Sequence, residues 1–137
     1  MTEIKSEKVS INNSDKNIFT FLSDFNNFEK LMPEQVINWQ STTEKCSFTI
    51  KGMADLAMRM SQLKEHSFIS YASENSKPFA FTLNSHIENV NDHHTNVQLI
   101  LNADLNPMLK MMAARPLKNF VNMLTEKLKE LLEEPIL

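Results

Sequence analysis

The spacing of apolar residues changes at residue 36 of this chain, and that change constrains the fold more than any other feature. Up to residue 35 the period is helical: Ile18, Phe21, Leu22 and Phe25 stand at i, i+3, i+4 and i+7, the stripe of an amphipathic helix. From residue 36 the period drops to two. Cys46, Phe48 and Ile50 alternate with Ser47, Thr49 and Lys51, and after Gly52 so do Ala54, Leu56, Met58 and Met60 with Asp55, Ala57, Arg59 and Ser61. Phe79, Phe81, Leu83 and Ile87 repeat the pattern, then Val97, Leu99, Leu101, Ala103 and Leu105. Strands that follow one another through short links cannot pair in parallel, which needs a long crossover. Clean alternation gives a sheet with one face buried and the other wet.

The remaining elements fill in around that sheet. Residues 3–11 read as a polar first strand with Val9 and Ile11 on one face. Ser14 is placed to cap the first helix. Phe28, Leu31 and Met32 make a second short helix that stops before Pro33. Val36–Thr43, which contains Trp39, and residues 67–74, with Ile69 and Tyr71 on one side, are further strands. Lys77-Pro78 is a turn, and Asn89–Asn96 a polar hairpin turn. Asn106-Pro107 opens a last helix with a capping residue and a proline at its first position. Its apolar stripe is Leu117, Phe120, Val121, Leu124, Leu128 and Leu131. Pro116 removes a backbone hydrogen bond, so a kink or break is expected near Ala113–Arg115. The expected fold is α+β: a curved antiparallel sheet of about seven strands around a long C-terminal helix, with two short helices after the first strand. At 137 residues, 42% hydrophobic and 23% charged, a single domain over 1–137 can bury its core without disulfide or metal.

The order of these elements, with SDKNIFTFLSDFNNFEKLMP near the start and PLKNFVNMLTEKLKELLEE at the end, resembles the START/Bet v 1-like superfamily, also called SRPBCC or helix-grip. The likeness is nearest to its small bacterial members, grouped with polyketide cyclases and coenzyme Q-binding proteins. The resemblance implies a pocket between sheet and C-terminal helix that takes an apolar molecule.

The inward phases select that pocket's candidate lining: Phe48, Ile50, Leu56, Met58, Met60, Tyr71, Phe81, Leu83, Ser85, Leu99 and Leu101 from strands, and Met108, Met112, Leu117 and Phe120 from the last helix. Phe79, Val97 and Leu124 share the inward phase. Each of the apolar residues taken singly reads as filled core, since apolar stripes are usually core; taken together they suit the lining of a cavity. Nine methionines suit an adaptable binding surface and also plain gap filling. Ser85 and Tyr71 are the inward polar groups, able to bond a ligand or nearby backbone. Trp39 fits either the core or a pocket mouth.

Other chemistry finds little support. His93 and His94, beside Asp92, read as a solvated turn; His66 falls in another turn and His86 on the wet face. Asp55 and Arg59 share the outer face of their strand. Cys46, the one cysteine, follows the buried phase, so it reads as an inert thiol with no disulfide partner, which suits a reducing compartment. A single glycine excludes a glycine-rich phosphate loop. The expectation is therefore no catalytic residue, no metal and no cofactor. A net charge of −3 argues against nucleic acid. The polar N-terminus and the lack of an apolar run of about 20 residues point to a cytoplasmic protein without a membrane span, monomeric or homodimeric. The leading expectation is non-catalytic binding of a lipid, isoprenoid or aromatic metabolite. The helix break and the turns at Gly52 and Pro78 would open the entrance. A cyclase or aromatase using the same pocket and a protein-interaction module with a filled core are the alternatives.

Overall fold

The computed structural model describes residues 1–134; residues 135–137 of the span expected as one domain lie outside them. The sheet has eight strands: β1 (Thr2–Lys5), β2 (Val9–Ile11), β3 (Val36–Ser41), β4 (Lys45–Ile50), β5 (Ala54–Lys64), β6 (Phe68–Ser73), β7 (Phe81–Asn91) and β8 (His94–Ala103). They pair antiparallel in the order β1-β8-β7-β6-β5-β4-β3, with β2 also on β8. Helices α1 (Asp15–Leu22) and α2 (Phe25–Phe28), followed by a 3-10 turn at Glu29–Leu31, come between β2 and β3. Helix α3 (Pro107–Leu132) follows β8.

Inward side chains follow the period-two phase. Cys46, Phe48 and Ile50 on β4, Leu56 and Met58 on β5, Phe81, Leu83, Ser85 and Ile87 on β7, and Val97, Leu99, Leu101 and Ala103 on β8 are all buried. Burial of one such apolar side chain stabilises the fold by about 1.5–3 kcal/mol, so this phase fixes which face of the sheet meets the helices.

The expected first strand is two strands. Ser6, which is buried, interrupts it by putting its side chain into the ladder. Its own N–H donates to the Leu99 carbonyl at 2.9 Å, while Leu99 N–H donates to Ser6 Oγ rather than to backbone, also at 2.9 Å. The displaced chain then meets α3, where Glu7 N–H donates to Asn122 Oδ1 at 2.7 Å.

The Asn12-Asn13-Ser14 loop serves two helices. Ser14 Oγ caps α1 by accepting from Asn17 N–H. Asn13 Nδ2 donates to the Leu132 carbonyl at 2.7 Å, and Asn12 N–H donates to the Glu133 carboxylate at 2.8 Å. The last turn of α3, whose carbonyls would otherwise lack partners, is thus held by the other end of the chain.

Helix α3 does not break at Pro116. It runs on through that residue to Leu132. Proline removes the bond to one carbonyl, that of Met112, and Pro116 is exposed, so water can serve the freed group.

Candidate functional site

The concave side of the sheet is divided in two. One part is a polar-centred aromatic knot. Phe25 and Phe28 pack on Tyr71 with ring centroids 5.3 and 5.1 Å away. Tyr71 is wholly buried, and its hydroxyl donates to the Leu22 carbonyl at 2.8 Å and accepts from Ser85 Oγ at 3.2 Å. Burial pushes the Tyr71 hydroxyl far above its ordinary pKa, and the bond from Ser85 offsets little of that. Tyr71 and Ser85 therefore satisfy each other and the end of α1, and they stand apart from the cleft below.

The second part is that cleft, between the sheet and α3. Phe48, Leu56, Met58, Phe81, Leu83 and Leu101 line it from the strands, Leu117 and Phe120 from the helix. Phe79, Met32, Val121 and Leu124 complete the wall. The lining offers carbon and sulfur and no titratable side chain. It holds a small cavity of about 20 Å³, room for roughly one water. An aromatic stack leads out of it: Phe120 lies 6.5 Å from Phe48, and Phe48 lies 5.3 Å from Trp39, which is half-buried. A bulge between Ile37 and Gln40, with Asn38 at φ 58°, takes Trp39 out of the edge-strand register and onto Phe48. Its Nε1 is buried without a partner among the described residues.

Eight of the expected lining residues therefore meet around one space. Ile50 and Leu99 are buried but do not line it, and Met60 is only partly buried, where β5 shifts register before Gln62. Met108 and Met112 are a correction: they are 72% and 69% exposed and face away from the sheet. Met32 was the hardest wall residue to read. Its helical spacing marks it as apolar core without saying that the turn at Glu29–Leu31 leans towards α3.

Of the segments expected to open an entrance, α3 is unbroken and the Pro78 turn is tied down. Lys77 exchanges both backbone hydrogen bonds with Asp55, each 2.9 Å, so the Pro78 loop is pinned to β5. The looser element is the first half of α3. Between Pro107 and Pro116 only Ala113 is buried.

Elsewhere the polar candidates have local partners. Arg59 pairs with Glu74 at 3.2 Å and Asp55 accepts from Thr49 Oγ1 at 2.8 Å, so Asp55 and Arg59 do not pair with each other. Burial pushes the Cys46 thiol up to about 12, so it stays protonated and unreactive. His86 lies on the outer face beside Phe68, its pKa lowered by desolvation and by Lys5. Among the described residues no group of three or more His, Cys, Asp or Glu could hold a metal ion, and no helix is long and apolar enough to cross a membrane.

No family model and no curated protein matches the sequence. Solved structures do. The protein XoxI from Bacillus cereus superposes with a TM-score of 0.76 at 10% identity over 96% of both chains. A START superfamily protein from Mycobacterium smegmatis gives 0.70 at 15% identity over 95% of this chain and 96% of its own. The chain has the START fold. The Aha1 protein of Colwellia psychrerythraea, described as a dimer, shares that fold with a TM-score of 0.70 at 16% identity over 97% of each chain. In the START fold of this chain the cleft lies under the helix that the sheet wraps, and identities this low carry the fold and no activity.

Proposed function

We propose that this protein binds a small apolar molecule, a lipid, isoprenoid or aromatic metabolite, in the cleft between the sheet and α3, without chemical change to it. One observation carries the reading: side chains from four strands, from Met32 after the 3-10 turn and from α3 converge on a single space that is lined by carbon and sulfur alone. Such a surface recognises a ligand by removing CH₂ groups from water, each worth about 0.8 kcal/mol. It offers no acid, base or nucleophile for a cyclase. A cavity of about 20 Å³ admits no such molecule, so binding requires the cleft to widen. The thinly packed first half of α3 and the flexible thioethers of Met32 and Met58 are the parts that can yield. The bound form would then be a minor state of the free protein, drawn out by the ligand.

The test is uptake. Native mass spectrometry of the purified chain, and titration with a panel of lipid-like fluorescent dyes, should show one apolar molecule bound per chain. Leu83→Phe, which adds bulk at the cleft wall, should abolish uptake while the protein still melts cooperatively. Absence of uptake by the unaltered chain across the whole panel would overturn the proposal.

A second reading has the small cavity itself in its favour. A nearly solid interior suits a module that works through its outer surface. Dye uptake by the unaltered chain, lost on Leu83→Phe, decides against it.

A further inference from the structure

The outward side of α3's first half has an unusual composition. Met108, Met111 and Met112 are 72%, 87% and 69% exposed. They stand at i, i+3 and i+4, on the side opposite Ala113 and Leu117, which face the core. A helix on a globular surface ordinarily turns charge to water there. The charges that accompany these methionines are all of one sign. Arg115 and Lys118 share the methionine side of the helix, Lys110 stands across it in the same exposed stretch, and no Asp or Glu occurs between Asp104 and Glu126, in a chain whose net charge is −3. Lys118 Nζ donates to the Lys5 carbonyl, which ties this flank of α3 to β1. Glu3, also on β1, is paired with Lys5 at 3.5 Å. Asp104 and Glu7 lie at the edges of the patch.

We propose that this face lies on an anionic lipid surface, the three thioethers entering the headgroup boundary and the cations meeting phosphate and carboxylate groups. Interfacial helices are built this way, an apolar strip flanked by Lys and Arg, and juxtaposed cations are attracted to anionic leaflets. Three side chains are too small a strip for a protein interface, which buries about 800 Å² on each partner. A symmetric contact with a second copy, centred on the strip, would set cations against cations, since that side of the helix carries no acidic residue between Asp104 and Glu126. A lipid surface has neither difficulty. The proposal concerns the outer face of α3 and holds whether or not the cleft takes a ligand.

Vesicle co-sedimentation of the full chain tests it. Phosphatidylcholine vesicles containing about 30% phosphatidylserine should carry down at least about tenfold more protein than phosphatidylcholine alone, and high salt should reverse the difference. The triple variant Met108→Ser, Met111→Ser, Met112→Ser should lose about tenfold of that binding, and so should Arg115→Glu. All four positions are exposed, and circular dichroism checks that the helix persists. Equal sedimentation with both vesicle types, or a folded triple variant that binds like the parent, overturns the proposal. So does a dimer in gel filtration that the triple variant dissolves, since a second copy would then cover the strip. Protein that takes up dye but ignores vesicles defeats this proposal alone; protein that binds vesicles but no dye defeats the cleft reading alone.

Discussion

Pro107–Pro116 and Leu117–Leu132 belong to one unbroken helix and meet different surroundings. The second half buries Leu117, Phe120, Val121, Leu124, Thr125 and Leu128, and its last turn is held by Asn12 and Asn13. The first half buries Ala113 and turns methionine to the solvent. Helix formation is common to both, so it is not what anchors either. The difference lies in packing, and it teaches that one element can serve as core at one end and as movable surface at the other. Pro116 stands at the junction, where a missing N–H lowers the cost of bending without ending the helix.

The largest test of this contrast is truncation. Leu124→Ala should lower stability by about 2–5 kcal/mol, as deletion of a fully buried leucine does. Met111→Ala should stay within about 0.5 kcal/mol. Urea unfolding measures both, and similar losses at the two sites would erase the distinction. Next in size is Pro116→Ala. Restoring the bond to the Met112 carbonyl should add about 1 kcal/mol or more, proline being worse than alanine by about 3 kcal/mol in a regular helix interior. Dye uptake should slow in proportion if the first half is the gate. A variant of unchanged stability whose uptake rate is also unaltered would remove Pro116 from the account. Asn13→Ala should cost about 1 kcal/mol by freeing the Leu132 carbonyl. Hydrogen exchange should then rise in the last turn of α3 and not near Met111. The smallest effect is thermodynamically silent: in the unaltered protein, amides of Lys110–Arg115 should exchange faster than those of Phe120–Leu128. Equal protection would mean that the first half is held by something beyond its contacts.

The sheet was legible because period two permits little else. Every inward residue on β4, β7 and β8 sits where alternation puts it. The wall of the cleft was legible for the same reason, since residues such as Leu83 and Leu101 keep phase over a long strand. Met108 and Met112 were misread through Pro116. An expected break resets the helical phase and lets the methionines turn inward; in a continuous helix the phase of Leu117, Phe120 and Leu124 carries back to Ala113 and sends Met112 out. Ser6 escaped notice because no local pattern announces a hydroxyl that will replace a peptide group in a ladder with β8. Tyr71 and Ser85 were found as inward polar residues, but their partner, the Leu22 carbonyl, is a contact between distant segments. The small size of the cavity depends on how side chains mesh, which spacing does not encode.

The clasp of Asn12 and Asn13 on the far end of α3 bears on how the molecule is made. These bonds span 121 and 119 residues of chain, and among the described residues β1 and β2 find their only strand neighbour in β8. During synthesis β1 and β2 therefore wait, edge exposed, until β8 has been made. Closure of so many distant contacts at once is slow, and a nascent chain stalled before β8 would carry two unpaired strands available to the wrong neighbour.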